Sequence, residues 1–273
     1  VRLIAQSVDY SVTLHQSKPE LPFLLMLHGF MGSGRVFDHL IPQIKIFSNP
    51  LTIDLVGHGD TRTPDNSSLY QTENQIHQLT SILERLRFEP MVLYGYSMGG
   101  RLALQLATAY PRFFSGLILE SAHCGLSSPE QRKARVQTDQ KRADQINKNQ
   151  QNFLNKWASL PLFSQTPETF KTIYRDISMK QNAEQMAYSL LEFGSGVMPN
   201  ICDKLSSLQM PVHLVAGSQD PSYVSRMTQM SVQIPVSHLH IVLSAGHRVH
   251  TDQPQEILTI LSNAMNASNQ NEQ

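Results

Sequence analysis

A chain of 273 residues with 40% hydrophobic side chains can bury a sizeable core, and its 22 basic and 22 acidic residues cancel. That balance leaves no global field to attract nucleic acid or an anionic membrane, so any charge preference must sit in a pocket. No stretch approaches the roughly twenty apolar residues of a bilayer span, and the N-terminus lacks a signal-peptide pattern. Cys124 and Cys202 are too few for a disulfide framework and belong to no CxxC or His/Cys ligand cluster. The expectation is a soluble protein with reduced thiols in a cytoplasmic setting.

In chain order, short aliphatic runs predict strands at Phe23 to Leu27, Leu51 to Leu55, Met91 to Gly95, Gly116 to Glu120, Val212 to Gly217 and Leu239 to Leu243. Near-continuous apolar runs suit strands buried on both faces of a parallel sheet. Between them, Ile76, Leu79, Ile82, Leu83 and Leu86 recur at helical spacing, as do Leu102 and Leu106. The alternation predicts an α/β fold with a mostly parallel, doubly wound sheet.

From about Gly125 to Asn200 the texture changes. "SSPEQRKARVQTDQKRADQINKNQQNFLNKW" is strongly polar and rich in helix formers, and "MKQNAEQMAYSLLEFGSG" predicts a further helix ending at glycine. A solvated bundle for protein contacts would also be polar, but its place between strands favours a cap over the strand ends, where α/β sheets put their sites. The expected organisation is a core of residues 1–124 and 201–273 with a helical cap at 125–200. The polar tail "NASNQNEQ" is expected to fray.

"GYSMGG", Gly95 to Gly100, fits the G-x-S-x-G nucleophile elbow, in which a strand turns sharply into a helix and exposes the serine, here Ser97. A serine hydroxyl is a weak nucleophile or base until an imidazole withdraws its proton, so the pattern demands a later acid and histidine. Asp220 in "GSQDPS" and His247 in "SAGHRVH" follow in that order, each after a predicted strand. His250 competes with His247, and Asp203 and Asp252 compete with Asp220. Asp203 precedes its strand, however, and Asp252 is placed to cap the last helix. After the first predicted strand, "HGFMGSG" offers a backbone N–H at Phe30 that, with that of Met98, would form an oxyanion hole. His28 is read as holding that turn, and "DLVGHG", Asp54 to Gly59, as a structural turn.

The ordered set "LHGF", "DLVGHG", "GYSMGG", "GSQD" and "AGH" resembles the α/β-hydrolase superfamily over nearly the whole chain. That scaffold serves many reactions, a carboxylesterase or C–C bond hydrolase among them. "GYSMGGRLAL", "LILESAHCGL" and "EQRKAR" narrow the likeness to 2-succinyl-6-hydroxy-2,4-cyclohexadiene-1-carboxylate (SHCHC) synthases of menaquinone and phylloquinone biosynthesis. In that family an arginine follows the elbow, a Glu-x-x-x-x-Gly-Leu segment opens the cap, and an arginine-rich cap helix comes next. "LLEFGSGVMPNICDKL" resembles the segment that closes the cap.

The resemblance implies a lyase that eliminates pyruvate from 2-succinyl-5-enolpyruvyl-6-hydroxy-3-cyclohexene-1-carboxylate, with Ser97 as base and no metal or organic cofactor. It implies that Arg101 and Arg135 bind the carboxylates of this small polycarboxylate substrate. Arg135 on a polar helix is otherwise one more solvated charge, and Arg101 a partner for a nearby surface carboxylate. Tyr96 is expected to line the site, and Trp157 and Phe163 to form either an apolar wall or a small cap core. Where the family usually carries a late cap arginine, this chain has Ser178, with Arg175 and Lys180 as the nearby cations. Lack of a long exposed apolar stripe favours a monomer.

Overall fold

The computed structural model describes residues 1–88 and 90–270. Its strands are β1 (Arg2–Ala5), β2 (Val8–Leu14), β3 (Phe23–Leu27), β4 (Asn49–Ile53), β5 (Met91–Tyr96), β6 (Phe114–Glu120), β7 (Val212–Gly217) and β8 (Ser237–Val242). They form one eight-stranded sheet in the order β1-β2-β4-β3-β5-β6-β7-β8. β1 and β2 pair antiparallel, as do β2 and β4, and the remaining neighbours are parallel. This is the α/β-hydrolase fold.

Burial of both faces explains the uninterrupted apolar runs. Along β3, Leu25 and Leu27 enter one core cluster with Ile76, Leu79, Ile82 and Leu83 of helix α2 (Thr72–Leu86) and Leu102 and Leu106 of α3 (Met98–Ala109). Leu24 and Met26 enter the opposite cluster with Ile41 and Ile44 of α1 (Ile41–Ile44) and Ile257 and Leu261 of α10 (Pro254–Gln270). A strand sandwiched between two helix layers has no solvent face to mark with polar residues.

Some expectations shift. β4 starts earlier than predicted and stops at Ile53, because the Asp54 carboxylate is taken up by turn amides, accepting from Gly34 N at 2.7 Å and Asp60 N at 2.9 Å. β8 is an edge strand, and its Leu239 and Ile241 are exposed rather than buried on both faces. The β1–β2 hairpin was not predicted. Its turn places Gln6 and Ser7 at φ 47° and 67°, and Val8, Tyr10 and Val12 alternate inward along β2. α10 carries helix into the polar tail as far as Gln270, and Asn271, Glu272 and Gln273 lie outside the described residues.

Between β6 and β7 lies a helical insertion: α4 (Pro129–Lys148), α5 (Gln150–Ala158), α6 (Glu168–Met179) and α7 (Ala183–Phe193). Ser128, Asn149 and Asn182 cap α4, α5 and α7 by accepting backbone N–H groups, which breaks the polar stretches into separate helices. α4 buries only Asp139, Ala143 and Ile146. Ile146 joins Phe153, Leu154, Met186 and Leu190 in a small apolar cluster that also takes Met31 from the loop after β3. The insertion therefore packs directly on the loop that follows β3.

The cysteines are not independent thiols. Cys124 and Cys202, 78 positions apart, form a disulfide. Both ends of the insertion return to one place, where Ile201 N donates to Cys124 O at 2.9 Å, and that convergence brings the sulfurs together. His123 closes the same junction through Ser195 Oγ at 3.1 Å. The remaining helices are α8 (Pro221–Ser231) and the single turn α9 (Val249–Asp252).

Candidate active site

β4 and β5 lie on opposite sides of β3, so chain direction across the sheet reverses there and opens a crevice beyond the strand ends. The loop after β3 and the turn after β5 meet at it. Ser97 holds φ 52° and ψ −108°, the strained geometry of a nucleophile elbow. Gly99 permits the approach, since a Cβ there would lie 2.4 Å from the carbonyl oxygens of Leu27 and His28. Ser97 thus stands at the head of α3 against the β3 loop.

Ser97 Oγ lies 2.9 Å from His247 Nε2, and His247 Nδ1 lies 2.8 Å from Asp220 Oδ2. The Asp220 carboxylate accepts the Nδ1 proton, which leaves Nε2 free to accept from the serine. Asp220 and His247 are both buried. The His247 backbone N–H donates to Leu162 O of the insertion at 3.1 Å, tying the histidine loop to the cap.

His250 and Asp252 have other partners, and Asp203 lies in a different turn. His250 Nδ1 lies 2.8 Å from Glu120 Oε1 and its Nε2 2.6 Å from the Tyr174 hydroxyl. Asp203 sits in a 3-10 turn at Cys202–Ser207. Asp252 was expected to cap the last helix, but its Oδ2 accepts from Gly246 N at 2.8 Å and so braces the histidine loop.

His28 fixes the turn after β3. Its Nε2 accepts from Leu55 N at 3.0 Å, so its Nδ1 donates to Gly29 O at 2.8 Å. Gly32 N donates to the same oxygen at 3.1 Å. With that carbonyl held, the Phe30 N–H of the trans peptide points the other way. His58 of "DLVGHG" bonds Val56 O at 2.9 Å, a structural role as read from the sequence.

Phe30, Tyr96, Ser97, Met98, Arg101, Arg135, Trp157, Phe163 and His247 line one cavity of about 230 Å³ under the insertion. A cleft of about 460 Å³ beside Cys124, Cys202 and Arg226 is larger, but it holds no member of the Ser97–His247–Asp220 set. The aromatic side chains form a connected wall. Trp157 lies 5.7 Å from Phe30 and 6.1 Å from Phe163, and Phe163 lies 6.1 Å from His247.

Arg101 is 8% exposed, and its Nη1 donates to Phe193 O at 2.9 Å and contacts Met198 Sδ at 3.1 Å. Among the described residues no carboxylate pairs with it. Burial pulls its guanidinium down to about 10, with Arg135 adding repulsion. Arg135, in contrast, bonds Asp139 Oδ2 at 2.7 Å, and Arg142 bonds Asp139 Oδ1 at 3.2 Å. Arg135 is therefore neither a freely solvated charge nor an unpaired one.

Sequence reasoning missed Arg142, Tyr174, Tyr223 and Arg248, which also line the cavity. Arg248 carried one signal, its place directly after the predicted triad histidine. Arg175 and Lys180 are exposed, and neither lines this cavity. Arg175 and Ser178 line an adjoining one instead.

An elbow serine with a strand-end acid and histidine on this sheet defines an α/β hydrolase. The chain belongs to that family: the model of the alpha/beta hydrolase family matches residues 24–260. It is 33% identical to a putative SHCHC synthase of Bacillus subtilis (strain 168), over 88% of each chain. It is 28% identical to the SHCHC synthase of Enterobacter sp. (strain 638), covering 90% of this chain and 92% of that one. MenH from S. aureus superposes with a TM-score of 0.89 at 28% identity, covering 95% of this chain and 98% of that one.

Proposed function

We propose that this chain is an SHCHC synthase, a lyase that eliminates pyruvate from 2-succinyl-5-enolpyruvyl-6-hydroxy-3-cyclohexene-1-carboxylate. The observation that carries the reading is Arg101, buried in the cavity of Ser97 and His247 without a carboxylate partner among the described residues. Burying an uncompensated cation costs free energy, and an anionic ligand offsets that cost when it arrives. A simple ester hydrolase needs the serine, histidine, acid and oxyanion donors but no such cation. Arg101 meets one substrate carboxylate and Arg135, steadied by Asp139, meets another, since guanidinium forks match carboxylates bidentately.

His247, oriented by Asp220, withdraws the Ser97 proton as the serine oxygen removes the ring proton α to the succinyl carbonyl. The electron pair moves into the enolate, whose oxygen takes hydrogen bonds from the Phe30 and Met98 N–H groups. Collapse of the enolate breaks the ring carbon–oxygen bond to the enolpyruvyl group. The proton held on the Ser97–His247 pair then goes to the departing enolate, giving pyruvate and the cyclohexadiene. The aromatic wall of Tyr96, Trp157 and Phe163 keeps water from the reacting carbons.

Pyruvate release from the enolpyruvyl substrate tests this. The wild type should release pyruvate, Ser97→Ala should abolish release, and Arg101→Ala should weaken it mainly through KM. Rapid turnover of a neutral aryl ester with no pyruvate release, or an acyl-enzyme trapped on Ser97 with this substrate, would overturn the reading.

A further inference from the structure

We propose that Arg248 is a third carboxylate anchor of the cavity, beside Arg101 and Arg135, filling the role left open at Ser178, and that a buried Glu120–His250–Tyr174 chain positions it. The inference rests on the polycarboxylate reading given above.

Arg248 lies directly after His247 and is 6% exposed. It lines both the cavity over Ser97 and the adjoining one that holds Ser178. Its guanidinium carbon is 3.6 Å from the Tyr174 ring centroid and 3.9 Å from that of Phe163. Stacking on rings fixes the plane of a guanidinium, and a side-chain hydrogen bond to Tyr96, beside the elbow serine, also holds it. Among the described residues its buried Nε has no hydrogen-bond partner and no carboxylate pairs with it. A desolvated, oriented donor without an acceptor is what a carboxylate-binding edge requires before the ligand arrives.

Ser178 does not do this work. Its hydroxyl lies 2.7 Å from Tyr174 O and 3.1 Å from Met31 O, and it carries no charge. The small side chain allows α6 to seat on the β3 loop, so the cation arrives from the histidine loop instead.

What holds Arg248 in place is the Tyr174 ring, and what holds that ring lies deeper. Glu120, with no exposure, accepts from His250 Nδ1 at 2.8 Å and also bonds the Tyr94 hydroxyl. With its Nδ1 proton so used, His250 Nε2 accepts from the Tyr174 hydroxyl at 2.6 Å. Burial raises the Tyr174 phenol above its ordinary value, so the group stays protonated and remains the donor. Tyr174 is thus a positioning residue, clamped at its hydroxyl and presenting its face to Arg248.

The full-length protein is compared with Arg248→Met, Arg248→Lys and Tyr174→Phe in pyruvate-release kinetics. KM for the enolpyruvyl substrate should rise about 10- to 100-fold in Arg248→Met while kcat falls less than threefold, and the lysine should recover part of it. Tyr174→Phe should raise KM several-fold at nearly constant kcat, a split that general loosening of the cap would not give. An unchanged KM in Arg248→Met beside an active wild type overturns the inference and leaves the proposed reaction standing. If the wild type releases no pyruvate, the reaction fails by itself, and binding of succinate, followed by fluorescence of Trp157, decides the anchor. Tenfold weaker succinate binding in Arg248→Met upholds it. Equal binding in both proteins, or none by the wild type, overturns it.

Discussion

Asp139 Oδ2 lies 2.7 Å from Arg135 Nε, and the same carboxylate takes Arg142 Nη1 at 3.2 Å on its other oxygen. One nearly buried acid on α4 thereby sets two cavity-lining cations. Asp139→Asn keeps the size but removes the charge. Because both arginines remain partly exposed, the loss of stability should be about 1–2 kcal/mol rather than that of a fully buried pair. Urea unfolding reads it, together with a fall in kcat/KM as Arg135 loses its orientation. An unchanged unfolding midpoint would show that the pairing contributes nothing.

Ser97→Ala and Asp220→Asn should each lower kcat for pyruvate release by a factor of about 10³ or more while the thermal midpoint moves little. The double variant should be barely slower than Ser97→Ala alone, because serine, histidine and acid act as one unit. Multiplying losses would instead mean that Asp220 acts apart from Ser97.

The Cys124–Cys202 bond closes the 78-position separation that contains the helical insertion. Restricting an unfolded loop of that size is worth up to about 4 kcal/mol on the chain-entropy account. Reduction, or replacing both cysteines by serine, should therefore lower the midpoint by roughly 5–10 °C. Calorimetry with and without a reductant measures it, and the double serine variant should not respond to the reductant at all.

Burial holds His28 down to about 4 and His58 to about 3, against the ordinary 6.5. As pH falls through 6.5 the unfolded chain protonates these rings and the folded protein does not. The unfolded state then binds more protons, and stability declines from about pH 6.5 toward 4, by up to about 1.4 kcal/mol per pH unit for each ring. Above pH 7 neither ring contributes a slope. Melting between pH 7.5 and 5, above the range where ordinary carboxylates titrate, should show a steady fall, and a flat profile would refute it.

Much of the sheet was legible because a strand buried on both faces has to be apolar, as β3 is throughout and β7 is apart from His213, which pairs with His240 of β8. β8 misled by the same rule, since its apolar residues sit on an edge. The β1–β2 hairpin was encoded in the alternation of "VDYSVTL" and went unread, because a strand with one wet face shows period two instead of a run. Ser97, Asp220 and His247 could be placed because each sits in a short turn whose neighbouring residues set its geometry. Arg101 and Arg135 could be nominated for the cavity, but nothing along the chain tells an unpaired guanidinium from one held by Asp139.

The sequence by itself determined the elbow, the order of serine, acid and histidine, and the sheet that carries them. These are contacts of a residue with its immediate neighbours, repeated at strand ends. Tertiary structure alone decided that Cys124 meets Cys202, that His250 faces Glu120 and Tyr174, and that Arg248 lies against Phe163 and Tyr174. Each of those pairings joins residues from about 70 to 130 positions apart, and their partners are fixed only when the insertion and the chain after it fold back onto the sheet.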